Sequence, residues 1–176
     1  EYGTGRDYMD KYEPECTKRK TKVGCIAVDR NSSNDKWAKY IKETQSRMPK
    51  YPMIGDADLA VSKLYGRLTA ERAGTSEGRT AATNATVRSV FIVGPDKRIK
   101  LMLTYPMTTG RNFDEILRVL DSMQLTAKHQ VATPVNWKHG ADVIIVGSVS
   151  DEQARQKYPE GCKPPNPYLR TVKQPV

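Results

Sequence analysis

No C-x-x-C pair occurs among the three cysteines, Cys16, Cys25 and Cys162, so neither a zinc ribbon nor a thioredoxin-type redox motif is encoded. The two histidines, His129 and His139, have no second ligand pair near them, and neither a metal nor a cofactor is expected. Apolar runs long enough to cross a bilayer are missing, which excludes a membrane-spanning helix. No secretory apolar segment opens these residues. Aromatic residues are few, 7% of the chain, and do not interleave with the basic ones as a single-strand binder requires.

What is present is a basic chain of 176 residues with a net charge of +9, long enough for one domain and a small appendage. Lys18, Arg19, Lys20 and Lys22 form its densest cationic cluster. Cations there suit the last turn of a helix. Nucleic acid as a partner is supported by net charge alone, without a recognition motif. The sequons at Asn31 and Asn84 read as accidental.

Tyr8, Tyr12 and Cys16 recur at four-residue steps and predict a helix over 5–19, with Pro14 arguing for a kink or an early end. Residues 22–28 read as a buried strand. Residues 35–44 read as a helix with Trp37, Ala38 and Ile41 inward, and 46–56 as irregular. Val61, Leu64, Tyr65 and Leu68 predict one buried face of a helix over 58–68. Residues 70–85 read as a long loop. Val87–Val93, a Gly94-Pro95-Asp96-Lys97 turn and the alternating run from Ile99 to Tyr105 predict a hairpin. Asn112 and Glu115 form a capping-box pattern ahead of a stripe of Phe113, Ile116, Leu117, Leu120 and Met123. Beyond Thr126 come an apolar run at 143–146, a short helix near 151–158 and a proline-rich extended tail. That lobe is expected to hold too little apolar mass to fold alone, and so to pack on the main domain or on a partner. The ensemble is an α/β arrangement with a mixed sheet flanked by helices.

From Tyr105-Pro106-Met107-Thr108-Thr109-Gly110-Arg111-Asn112-Phe113 through Val131-Ala132-Thr133-Pro134-Val135-Asn136-Trp137 the chain resembles the 1-Cys peroxiredoxins. Arg88 to Asp96 is similar to that family's arginine-bearing strand and turn, Tyr51-Pro52-Met53-Ile54 to a segment before its next helix, and Tyr168-Leu169-Arg170 to its C-terminal signature. The resemblance implies a thioredoxin-like fold over 1–126, incomplete at its front, and a C-terminal lobe over 127–176 that exchanges across a homodimer.

It also implies reduction of hydrogen peroxide or organic hydroperoxides by a thiolate that becomes a sulfenic acid. Two arginines would favour the thiolate and the developing alkoxide, and by position they are Arg88 and Arg111. The family's Pro-x-x-x-Thr-x-x-Cys segment has no counterpart in these residues. Cys16 and Cys25 fall elsewhere, on a helix and a strand expected to pack in the core, where thiols are inert. Asp96 matches an acid credited with phospholipase activity in some members, but reads more simply as a turn residue. Two functions follow: a non-catalytic accessory subunit of a larger assembly, or an active 1-Cys peroxidase whose front part lies upstream. The partner is a second copy or a larger complex, and the compartment is mitochondrial or cytoplasmic.

Overall fold

The computed structural model describes residues 4–28, 38–39, 42–43, 51–68, 78, 85–161, 163–166 and 169–176; of 4–10 and 163–166 it describes the backbone alone. The expectations for Trp37, Ile41, most of the 70–85 loop, Cys162 and Tyr168 lie outside the described residues. The chain divides into two units, Glu1–Phe113 and Asp114–Val176.

In the first unit, helix α1 (Thr4–Lys18) runs on past Pro14 instead of ending there. It stops in a Schellman motif: the Thr21 N–H bonds the Cys16 carbonyl at 2.9 Å and the Lys20 N–H bonds that of Thr17 at 2.9 Å. Lys20 takes the left-handed position, φ 53°, which glycine more often fills. The cationic cluster is partly neutralised, because Glu15 pairs with Lys18 at 2.5 Å and with Arg19 at 3.1 Å.

Strand β1 (Cys25–Ala27) pairs in parallel with β2 (Met53–Gly55). The second strand lies in a stretch expected to be irregular. Pro52 and Gly55 hid it, but Pro52 needs only its carbonyl, which accepts the Cys25 N–H at 2.9 Å. Helix α2 (Ala60–Leu64) is shorter than the helix read over 58–68. Its predicted face is also rotated: Leu64 is 81% exposed, while Leu59 and Ser62 are fully buried. Val28, Leu59 and Leu68 form a small core there.

Strands β3 (Arg88–Val93) and β4 (Ile99–Tyr105) make the expected antiparallel hairpin, with Arg88 opposite Tyr105 and Val90 opposite Leu103. Its turn is closed by Asp96. That carboxylate accepts the Arg98 N–H at 3.2 Å and the Lys100 ammonium at 2.7 Å. The geometry is that of the turn residue the sequence suggests.

The second unit opens with helix α3 (Phe113–Lys128, of which Phe113 belongs to the first unit) and continues through β5 (Val131–Ala132), β6 (Val143–Ile145), α4 (Asp151–Lys157), β7 (Lys163–Asn166) and β8 (Leu169–Val172). The strands form one antiparallel sheet in the order β5-β6-β8-β7. The proline-rich tail supplies two strands, and the lobe has its own core of Val131, Trp137, Val143, Ile145, Val149, Ala154, Tyr158 and Val172. These apolar residues are scattered over β5, β6, α4, β8 and the loops between them, so no single run announces the core. Ser150 starts α4 with a capping box, its hydroxyl accepting the Gln153 N–H at 3.2 Å and the Gln153 side chain accepting the Ser150 N–H at 3.1 Å.

Candidate functional site

The candidate site grows from the first unit. Arg88 begins β3, and its Nε is shielded from solvent. Across the hairpin it faces Tyr105, the last residue of β4, so both side chains leave the same face of the pair. Arg111 follows in the segment that leads from β4 to α3. Burial lowers the Arg111 pKa, an effect opposed by the negative charge that Cys25 and Tyr105 would carry. Tyr105 thus links the two arginines, opposing Arg88 in register and acting on Arg111 through space. Of the two predicted residues, Arg88 is set by the hairpin register, and Arg111 lies within electrostatic reach of the same phenol.

Arg67 stands there as well, and sequence reasoning missed it. The Schellman motif that ends α2 delivers it: Gly66 adopts φ 64°, the Gly66 N–H bonds the Lys63 carbonyl at 3.0 Å, and the Arg67 N–H bonds that of Ser62 at 2.8 Å. Its guanidinium donates from Nη1 to the Ile26 carbonyl at 3.1 Å and from Nη2 to the Thr86 hydroxyl at 3.1 Å. The Arg67 carbonyl accepts the Val87 N–H at 3.0 Å. Arg67 therefore bridges β1, one residue past Cys25, to the chain just before Arg88. The available clue was an arginine set between Gly66 and the apolar Leu68, where a solvated side chain would be out of pattern.

Burial lowers the Arg67 pKa most; the charge of Arg111 adds to this, and Cys25 and Asp56 oppose it. Two partly buried cations thus repel one another within this site. Asp56, itself buried, has its oxygens turned to α2, accepting the Val61 N–H at 3.1 Å and the Ser62 N–H at 2.6 Å. Burial alone would raise the Asp56 carboxyl, but hydrogen bonds from Ser62 and Val61 outweigh it and hold the pKa below the ordinary carboxylate value.

The cysteines divide. Cys16 is buried in α1, and burial pushes its thiol pKa up, as befits an inert side chain. Cys25 is only partly buried, which corrects the expectation that both lie in the core. It occupies a three-residue strand that, among the described residues, pairs with β2. Among the described residues no three His, Cys, Asp or Glu side chains converge as a metal site, and no helix is long and apolar enough to cross a membrane.

In the second unit, Arg170 of β8 explains the C-terminal signature. Its guanidinium bonds Asp151 at 2.7 Å and the carbonyls of Val149 at 2.6 Å and Val146 at 3.3 Å, with the side chain 14% exposed. It ties β8 to the turn between β6 and α4.

The profile of the C-terminal domain of 1-Cys peroxiredoxin matches residues 122–161. A 1-Cys peroxiredoxin of Dictyostelium discoideum is 44% identical over 95% of this chain and 66% of its own length. Peroxiredoxin-6 of Rattus norvegicus is 40% identical over 94% of this chain and 75% of its own. The chain therefore spans two thirds to three quarters of these relatives. A solved yeast mitochondrial 1-Cys peroxiredoxin, described with a thiol-resolving mechanism via glutathione and thioredoxin systems, superposes with a TM-score of 0.84 at 39% identity, covering 97% of this chain and 78% of that one. Peroxiredoxin 6 of Arenicola marina superposes with a TM-score of 0.80 at 35% identity, covering 97% and 77%.

Proposed function

This chain belongs to the 1-Cys peroxiredoxin family and has its thioredoxin-like fold, and from that premise we propose that Arg88, Tyr105 and Arg111 serve a thiol-dependent peroxidase. What supports the reading is the register that sets Arg88 opposite Tyr105, together with the electrostatic effect of that phenol on Arg111. A cysteine thiolate from outside these residues would attack the terminal peroxide oxygen. The S–O bond forms as the O–O bond breaks, and the leaving oxygen takes a proton as water or alcohol. Arg88 and Arg111 would stabilise the charge that develops on that oxygen. The test is peroxide consumption by the full-length natural protein carrying Arg111→Gln. A rate lowered by about 10²-fold or more is expected for loss of a preorganised charge. An unchanged rate removes Arg111 from this role.

A second reading, an accessory subunit without turnover, is favoured by one feature. In the parallel β1–β2 ladder Cys25 and Ala27 bond toward β2, so the Ile26 carbonyl faces away and, among the described residues, meets the Arg67 side chain and no strand. An edge met in this way can accept a strand of another chain. Intact mass and peptide mapping of the natural protein separates the readings: a Pro-x-x-x-Thr-x-x-Cys segment upstream supports the enzyme, and its absence supports the subunit. In either case the lobe over 127–176 is proposed to exchange across a homodimer.

A further inference from the structure

Arg88 stands at the open end of its hairpin. The turn that joins β3 to β4 lies at the other end, where the Gly94 N–H bonds the Arg98 carbonyl and the Lys97 N–H bonds that of Gly94, each at 2.9 Å. The register runs from there to Arg88 opposite Tyr105, its last pair. Pro106 follows Tyr105 and has no N–H to carry the ladder further. A two-stranded ladder is weakly held and frays at its open end, so the backbone under Arg88 gains from a hold outside the hairpin.

Arg67 supplies that hold at the two residues before Arg88. Its carbonyl accepts the Val87 N–H at 3.0 Å, and its Nη2 donates to the Thr86 hydroxyl at 3.1 Å. Nη1 of the same guanidinium donates to the Ile26 carbonyl at 3.1 Å. The planar fork thus ties the approach to Arg88 to β1, independently of β4. Arg67 is itself fixed, because the Schellman turn at Gly66 sets its backbone and Leu68 beside it is buried.

We propose that Arg67 is a positioning residue for peroxide reduction, holding Thr86 and Val87 so that Arg88 is already in place when charge develops on the leaving oxygen. This role rests on the peroxidase reading, and it reaches the reaction only through Arg88. A donor held in advance costs no reorganisation in the transition state. Without the clamp Arg88 has to be ordered at each turnover, and a displacement of about 1 Å can cost as much as about 10²-fold in rate.

The test is single-turnover peroxide reduction by the full-length natural protein carrying Arg67→Met, alone and combined with Arg88→Gln. Arg67→Met alone should lower the rate by about tenfold. In the Arg88→Gln background it should cost little more, because the group it positions is gone. General destabilisation, or a direct effect of the Arg67 charge, would instead lower the rate by the same factor in both backgrounds. Arg67→Lys should recover only part of the loss, since one ammonium cannot hold Ile26 and Thr86 as the fork does. Thr86→Val cuts one leg of the clamp and keeps Arg67; it should lower the rate in the same Arg88-dependent way, and it supplies the comparison if circular dichroism shows Arg67→Met to be unfolded. A rate equal to the parent's, equal losses in both backgrounds, or full recovery by Arg67→Lys would overturn this role and leave the peroxidase reading standing. A parent that reduces no peroxide, or an Arg88→Gln variant as fast as the parent, would overturn both.

Discussion

Arg67 donates its guanidinium to the Ile26 carbonyl at 3.1 Å, on the side of β1 turned away from β2. A side chain thus stands where a neighbouring strand would supply an N–H. The same group reaches Thr86, so β1 and the start of β3 are tied through one residue.

Replacing Arg67 with Met should cost about 1.5–3 kcal/mol of stability, the usual range for hydrogen bonds from a charged group. Urea unfolding of the variant measures it. A midpoint equal to the parent's would show that the bridge is structurally idle.

Asp56 caps α2 from a distance, because Leu59 at the N-cap position has φ 62° and no capping side chain. Asp56→Ala should destabilise by about 1–2 kcal/mol, as loss of a cap does. The pH dependence has a definite sign. The folded carboxyl sits below its ordinary pKa, so its stabilisation is present above that ordinary value and is lost as pH falls through the depressed folded one. Unfolding midpoints across the acid range should fall more steeply for the parent than for Asp56→Asn. Parallel curves would contradict the assignment.

The two Schellman motifs make opposite predictions. Gly66→Ala meets no neighbour within 4 Å but must hold φ 64°, so it should destabilise by about 1 kcal/mol through the backbone alone. Lys20→Gly relieves the same strain and should stabilise by a few tenths of a kcal/mol up to about 1 kcal/mol. Thermal midpoints shifting in the same direction for both would refute the argument.

Arg170 is a planar donor to one carboxylate and two carbonyls. Lys cannot reproduce that fork. Arg170→Lys should therefore recover little of the loss in Arg170→Ala, about 2 kcal/mol for buried carbonyls left unpaired. Amide exchange at Thr171 and Val172 reports the effect locally. Protection in Arg170→Lys equal to the parent's would show that charge alone suffices.

The hairpin of Arg88 to Tyr105 and the long helix from Phe113 were legible because their patterns are strong and local. Arg88 and Arg111 were named through the resemblance, and the hairpin register then sets Arg88 opposite Tyr105. Strand β2 was not legible, since three residues framed by Pro52 and Gly55 carry no alternation; their pairing with β1 decides the conformation. Nor was the face of α2, because Asp56 starts the helix later than its apolar period suggests and turns Leu64 outward. Cys25 read as buried because its strand is apolar, but exposure depends on how many strands cover it. Arg67 lay outside every motif, and only its long-range hydrogen bonds reveal it.

The central claim is that Arg88 and Arg111 act as one unit on a peroxide. The most direct test is single-turnover peroxide reduction by the full-length natural protein with Arg88→Gln, Arg111→Gln and both together. Each single change should lower the rate by about 10²-fold or more, and the pair should cost little beyond the worse single change, because residues acting as a unit are not additive. Rates unchanged in the single variants, or losses that multiply in the double, would contradict it.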